Sequence, residues 1–324
     1  MTDFTVLILP GAFASSVAVT LDMLGAAASI ATRLGLPRPR WRVYSATGEP
    51  AELSSGMSLQ APALPRRARP DASVWIVPGL GTDSPAAVSA KLASPAAGRV
   101  VRAVQAHARK GGSVAASCSA VFLLQAAGLL AGRKVTTSWW LASELSRREP
   151  SCEVDADRMV CVDGPVTTAG AALAQADLML LLLRTRLGAP LADAVSRYLL
   201  IDGRQAQAPF VIPAMLAAGD ALVAKLTARI ERALPSPPRI GQLAEEFGMS
   251  PRTLARHVKA ATGKSTLALV QSVRLGRARL LLETSRLPID QIAERVGYGD
   301  ATALRRLMRK MAGANPSQFR AALW

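Results

Sequence analysis

The sequence predicts two domains of different class. The first is α/β, a doubly wound and mostly parallel sheet. The second is all-α and carries two helix-turn-helix modules. Three observations lead there. Apolar runs of strand length alternate with helical stretches from Phe4 to Ala116, the pattern of a parallel sheet covered on both faces. Two short helical modules of one design recur in the last part of the chain, starting at Ile240 and at Ile289. Positive charge gathers with them: residues 225–324 hold 18 Lys and Arg against 7 Asp and Glu, whereas the first 224 residues hold 21 against 16. A formal charge of +16, so distributed, suits a phosphate-binding surface at one end.

Phe4 to Leu9 is continuously apolar, as a strand buried on both faces requires. Pro10-Gly11 stops it, and Ser15 to Arg33 reads as a helix ending at Leu34-Gly35. Trp41 to Ser45 and Ser73 to Val77 are the second and third strands, the latter closed by Pro78-Gly79-Leu80-Gly81. Gly98 to Lys110 is a helix stopped by Gly111-Gly112, and Ser113 to Ala116 is a fourth strand. In such a sheet the ligand site lies beyond the carboxyl ends of the strands. Ala171 to Leu183, interrupted by Gln175 and Asp177, reads as a core helix and not a membrane span. The first residues have neither a basic leader nor a small-residue cleavage site, so no signal peptide is expected. Three cysteines without metal-ligand spacing point to a reducing cytosol, and no metal or cofactor is expected.

Cys118 stands in the turn between the fourth strand and a helix from Val121 to Gly128. Such an elbow lifts a side chain out of the sheet, and a helix N-terminus favours thiolate. The alternative is a small buried apolar Cys. Val77-Pro78-Gly79, Ala115 to Trp139 (with Cys118 and Thr136-Thr137-Ser138-Trp139) and Asp163 to Gly170 together resemble the ThiJ/PfpI, class I glutamine amidotransferase-like family over roughly residues 4–190. The resemblance implies a flavodoxin-like fold. In that family the elbow Cys pairs with a His about twenty residues on, often with an acid on the first helix. Here the His position is Ser138, and the acid position falls near Ser16, with Asp22 further along. The two histidines, His107 and His257, lie elsewhere. A Cys nucleophile needs a base held by a third group, so no catalytic residue is assigned. A concave site lined by Gly79, Leu80, Gly81, Cys118, Ser119 and Ser138 remains, suited to a small polar metabolite.

Leu191 to Leu200 is a further amphipathic helix. A Pro-bounded irregular stretch from Asp202 to Pro213 reads as the hinge, and Met215 to Leu234 as a lead-in helix. The boundaries are therefore 1–203 for a sensory or dimerising domain, 204–222 for a linker and 223–324 for a DNA-binding domain. In the first module Leu243, Ala244 and Phe247 form an apolar face, repeated by Ile292, Ala293 and Val296 in the second. Ser250, followed by Pro251, caps the second helix of module one, and Asp300 its counterpart. With Leu254, Val258, Leu304 and Met308 inward, the outward residues are Arg252, Thr253, Ala255, Arg256 and Lys259, then Ala301, Thr302, Arg305, Arg306 and Arg309. Arg256 and Arg306 are favoured for base contact, while Lys259, Arg309 and Lys310, late in their helices, suit phosphates. A helix from about Leu267 to Thr284 separates the modules, and a rigid helix there sets both readers on one face of the duplex, about 34 Å apart. Leu280-Leu281-Leu282 within it is either an oligomerisation stripe or core.

Ile292-Ala293-Glu294-Arg295-Val296-Gly297-Tyr298 and Gly313 to Arg320 carry a resemblance to the AraC/XylS-type DNA-binding domain, which extends over Ile240 to Trp324. Both halves together resemble the amidotransferase-like subgroup of AraC-type regulators. That resemblance implies double-stranded DNA and RNA polymerase as partners, a small nitrogen-containing effector, a homodimer formed through the first domain, activation of transcription and a place at the cytoplasmic nucleoid. Three rivals stand beside it: an enzyme using Cys118 for amide or aldehyde chemistry, a dimeriser without ligand, and a thiol redox sensor.

Overall fold

The computed structural model describes residues 2–65, 70–201, 207, 220–312 and 315–319. It divides into two compact units, Met1–Arg204 and Gln205–Trp324. In chain order the first contains β1 (Phe4–Ile8), α1 (Ala14–Leu34), β2 (Trp41–Ser45), β3 (Ala51–Glu52), β4 (Ser58–Leu59), β5 (Val74–Val77), α2 (Pro85–Leu92), α3 (Pro95–Arg109), β6 (Val114–Ser117), α4 (Val121–Ala126), β7 (Lys134–Val135), α5 (Ala142–Arg148), β8 (Glu153–Val154), β9 (Val160–Asp163), β10 (Val166–Ala169), α6 (Ala174–Leu187) and α7 (Ala189–Tyr198).

The main sheet runs β2-β1-β5-β6-β10-β9. Its pairs are parallel except β10 with β9. This is the doubly wound α/β domain that the alternation predicts, with the flavodoxin-like fold that the resemblance implies. Strand alternation sorts the core into two layers. Phe4, Val6, Ile8, Val74, Ile76 and Ala115 point to one face and pack with Val17, Met23 and Leu24 of α1 and Leu178, Met179 and Leu183 of α6. Leu7, Trp75, Val77, Val114 and Ala116 point to the other and meet Val100 and Val104 of α3 and Phe122 of α4. The helix α1 ends where Gly35 turns left-handed (φ 64°) and its N–H reaches Ala31 O. Ala14–Leu34 is long and apolar enough to cross a membrane, but its buried residues belong to the first of these core layers.

The order also places a switch point. From β1 the chain crosses to β2 on one side, then returns to β5 on the other. Crevices open at the carboxyl ends of such strands.

Three features depart from the reading of the sequence. The helix expected from Gly98 begins at Pro95, because Ser94 caps it by accepting from Ala97 N at 3.2 Å. An unanticipated helix, α2, begins the same way, with Ser84 accepting from Ala87 N at 3.3 Å and Pro85 in the first turn. The sheet also extends past the four expected strands into the β9–β10 hairpin, turned at Gly164 (φ 58°).

The second unit is helical: α8 (Ala221–Arg232), α9 (Ile240–Glu246), α10 (Pro251–Thr262), α11 (Thr266–Thr284), α12 (Ile289–Arg295) and α13 (Ala301–Ala312), then a 3-10 turn at Pro316–Phe319. Leu275, Ala278 and Leu282 of α11 pack with Ile292, Ala293 and Val296 around α12 and with Leu304, Leu307 and Met308 of α13. Of the Leu280–Leu282 run, Leu282 is core, Leu281 packs against it and Leu280 is exposed. The lead-in helix α8 buries Val223, Leu226, Thr227 and Ile230, one face at helical spacing. Its expected start at Met215, and the hinge from Asp202 to Pro213 apart from Gln207, lie outside the described residues.

Asp220 ties α8 to α10. Its Oδ1 accepts from Val223 N at 3.0 Å, and Oδ2 lies 2.7 Å from His257 Nε2. Burial works to raise this carboxyl, but the hydrogen bonds from Val223 and His257 outweigh it and hold its pKa below the usual 3.8. A depressed carboxylate contributes stability above its unfolded pKa and loses it as pH falls through the folded one. The urea midpoint of this unit is therefore expected to drop below pH 3.8, and Asp220→Asn, which keeps a capping oxygen, to flatten that drop. Identical pH profiles for the two proteins would remove the assignment.

Candidate functional site

Two places hold the chemistry, one in each unit. In the helical unit α10 starts at Ser250, whose hydroxyl accepts from Thr253 N at 3.1 Å, with Pro251 in the first turn. It ends at Gly263 (φ 71°). Leu254 and Val258 are fully buried, which turns Arg252, Ala255, Arg256 and Lys259 out to solvent. In α13, Asp300 Oδ1 accepts from Ala303 N at 2.8 Å. Leu304 and Met308 are buried there, and Thr302, Arg305, Arg306 and Arg309 are exposed. Arg252, Arg256, Arg305, Arg306 and Arg309 form no ion pair among the described residues. Both helices thus present guanidinium groups that no internal carboxylate neutralises, as contact with phosphates and guanine edges requires.

Three details revise the expected surface. Ala301 is 3 % exposed and faces the core, since the cap at Asp300 rotates the first residue of α13 inward. Thr253 is half-buried, and its hydroxyl lies 2.9 Å from Ser250 Oγ within the cap. Lys259 Nζ donates to Gly263 O at 2.7 Å, closing the C-terminus of its own helix while staying at the surface.

In the α/β unit Cys118 follows β6 and opens a 3-10 turn ahead of α4. Its φ of 55° is a left-handed conformation, costly for a residue with a Cβ. Three contacts hold it. Cys118 N donates to Gly170 O at 2.7 Å. Thr137 Oγ1 donates to Cys118 O at 2.7 Å, and Ser138 Oγ to the sulfur at 3.0 Å. A Cβ on Gly79 would lie 3.2 Å from Cys118 Cβ, 3.4 Å from Ser16 Oγ and 3.7 Å from Cys118 Sγ. Gly79 therefore lets its strand end close over the thiol, and Ser16 stands beside it where an acid was sought. The Ser16 hydroxyl is itself committed to Ala172 O at 2.9 Å.

Of the two readings of Cys118, this geometry favours the small buried Cys over the thiolate. Burial pushes the Cys118 thiol up, and the Ser138 hydroxyl, which works the other way, does not offset it. The helix that follows spans only Val121–Ala126, too short to compensate for full burial. No histidine helps. His107 stacks on Trp75 with ring centroids 4.3 Å apart, and its Nε2 lies 3.3 Å from Ser113 O. His257 is held by Asp220 in the other unit. Burial also raises Cys152, and takes Cys161 up to about 11. All three cysteines are free.

Comparison with known proteins follows the same division. The DJ-1/PfpI family model matches residues 39–185, and a helix-turn-helix domain model matches residues 243–322. The transcriptional regulator CdhR of Pseudomonas aeruginosa is 26 % identical over 324 residues, covering 99 % of this chain and 92 % of its own. The chain joins a DJ-1/PfpI domain to an AraC-type helix-turn-helix domain. It is a DNA-binding transcription regulator of AraC type. The regulator GlxA of Rhizobium meliloti is 31 % identical over 209 residues, 62 % of this chain and 63 % of its own. The crystal structure of an AraC family transcriptional regulator from Pseudomonas putida shares the fold, with a TM-score of 0.51 at 22 % identity over 61 % of this chain and all of that one.

Within the DJ-1/PfpI domain the structure gathers Gly79, Leu80, Cys118, Ser119 and Ser138 in one buried cluster, with Cys118 only 4 % exposed. Gly81 is the exception. It is exposed and borders an open cleft that the other five do not line. One residue of the helical unit escaped the sequence reading: Asp220, with its tie to His257. An acid before an amphipathic helix was the available signal for the cap, but its pairing with a histidine 37 residues on was not legible.

Proposed function

We propose that this regulator activates transcription and that a small nitrogen-containing metabolite, bound at the carboxyl edge of the first domain's sheet, controls it. Carrying this reading is the pair of unneutralised arginine faces on α10 and α13. The likeness to CdhR and GlxA, both named transcriptional regulators, supports it. So do the similarities to GbdR and ArgR of Pseudomonas aeruginosa, at 25 % and 28 % identity. In the proposed mechanism the protein is a homodimer through its first domain. The metabolite favours one arrangement of that domain and so shifts the population competent to hold the operator and recruit RNA polymerase. The site of action is the cytoplasmic nucleoid.

The enzyme reading is the rival with a specific residue behind it. Against it stand a thiol raised by burial and a serine at the position where the ThiJ/PfpI resemblance calls for a histidine. A thiol raised by burial and without a base to activate it holds little thiolate for nucleophilic attack. The same burial opposes redox sensing, which needs an accessible, low-pKa thiol.

Genome-wide binding of the protein in its host tests the reading. Discrete operators next to catabolic genes are expected, with the same occupancy and the same induction in Cys118→Ser. A folded Cys118→Ser protein that still binds DNA but no longer regulates would return the function to the thiol.

A further inference from the structure

The open cleft bordered by Gly81 has a volume of about 790 Å³. It lies where the topology calls for a ligand. Pro10 and Gly11 follow β1, Thr47 follows β2 and Thr82 follows β5, and all of these line it. These are the strands on either side of the switch point, at their carboxyl ends. Two glycine turns form its floor. A Cβ on Gly81 (φ 66°) would sit 2.4 Å from Gly11 O, and one on Gly11 (φ 73°) would sit 2.6 Å from Lys91 Nζ. At Gly81 the obstruction is backbone, and at both positions the left-handed φ favours glycine.

The cleft is positively charged. Lys91, in the last turn of α2, and Arg99, on α3, line it, and no Asp or Glu does. Arg99 is exposed and forms no ion pair among the described residues. Lys91 Nζ donates to Pro10 O at 2.7 Å, which holds the ammonium over the floor with donors to spare. The N-terminus of α3 borders the same space through Pro95 and Ala96 and adds the positive end of a 15-residue helix.

We infer that this cleft, and not the buried cluster around Cys118, is the effector site, and that it takes a small organic molecule by an oxyanion group, carboxylate or phosphate. The oxyanion lies between Lys91 and Arg99, with the rest of the molecule against Leu9 and Ala87. The inference rests on the proposal that the first domain binds an effector.

Thermal denaturation of the full chain tests it, titrating inorganic phosphate and acetate against choline chloride at matched ionic strength. Stabilisation by phosphate or acetate beyond the chloride control is expected. Losing one charge-assisted contact is expected to weaken the apparent Kd about tenfold or more in Arg99→Gln. Arg256→Ala is expected to keep the response that Arg99→Gln loses, and it is the loss in Arg99→Gln that places the anion in the cleft and not on the DNA-reading helices. A response to phosphate alone assigns a phosphate group, and one to acetate alone a carboxylate. Equal responses in wild type and Arg99→Gln, or none beyond chloride, overturn the inference. Lys91→Gln is a second probe. Should it unfold for want of the Pro10 contact, Arg99→Gln decides, since the Arg99 side chain forms no ion pair among the described residues. The assay contains no DNA, so it fails or succeeds separately from operator binding.

Discussion

Arg256→Ala is expected to weaken operator binding by about tenfold to a hundredfold, and unevenly across single-base operator variants. The size follows from about 1–3 kcal/mol for a good bidentate contact to a base. Arg256 sits mid-helix in α10, is exposed, and has no carboxylate partner among the described residues. Arg252 lies one turn earlier on the same face. A guanidinium so placed is free to reach guanine O6 and N7. Lys259 provides the contrast. It lies a turn later, and its ammonium already bonds Gly263 O. Lys259→Ala is therefore expected to weaken all variants evenly and to reduce the salt dependence, as loss of a phosphate contact does. Equilibrium binding to the operator variants at one fixed salt concentration distinguishes the two, and a salt titration on the parent operator reads the change in slope. An even loss for Arg256→Ala would reassign it to the phosphates.

The largest stability effect is expected at Gly297, between α12 and α13. Its φ is 84°, and a Cβ there would lie 2.0 Å from Pro235 O and 3.3 Å from Arg274 Nη2. The obstruction is mostly backbone, so it does not yield as the end of a side chain would. Arg274 is also constrained, packing 5.0 Å above the Tyr298 ring. Gly297→Ala is expected to cost about 2–4 kcal/mol, combining a left-handed residue with overpacking. The equivalent position in the first module is Gly248, also left-handed at φ 65° but with nothing near its Cβ. Gly248→Ala is expected to cost only about 1 kcal/mol, from the backbone alone. Urea unfolding of the two variants gives the comparison. Equal costs would show that the approach of Pro235 contributes nothing.

That pair of glycines shows how far each level reached. The sequence marks both as helix ends, and both are. It offers no sign that the carbonyl of Pro235, far away in the chain, comes to rest on one of them. The β9–β10 hairpin was nearer to being legible. Asp163-Gly164 is a hairpin signal, but its strands are short, and one carries Thr167 and Thr168 on buried faces where an alternation of apolar residues was sought. Helix starts at Ser84 and Ser94 were likewise written in plain Ser-Pro pairs.

By itself the sequence determined what local rules can specify. Strand-length apolar runs gave the layered sheet, 3.6-residue spacing gave the twin modules, and charge placement gave the surface for DNA. It also placed Cys118 in its elbow and left it without a histidine. Tertiary structure alone decided the burial of that thiol and the shape of the cleft at the switch point. A pKa depends on burial and on neighbours brought in from other strands: burial, closed over by Gly79, pushes this thiol up, and the Ser138 hydroxyl that works the other way does not offset it. The cleft likewise draws its floor from the end of β1, its wall from the end of β5 and its two cations from α2 and α3. No interval in the chain marks residues that meet only when separate strands and helices converge on one edge of a sheet.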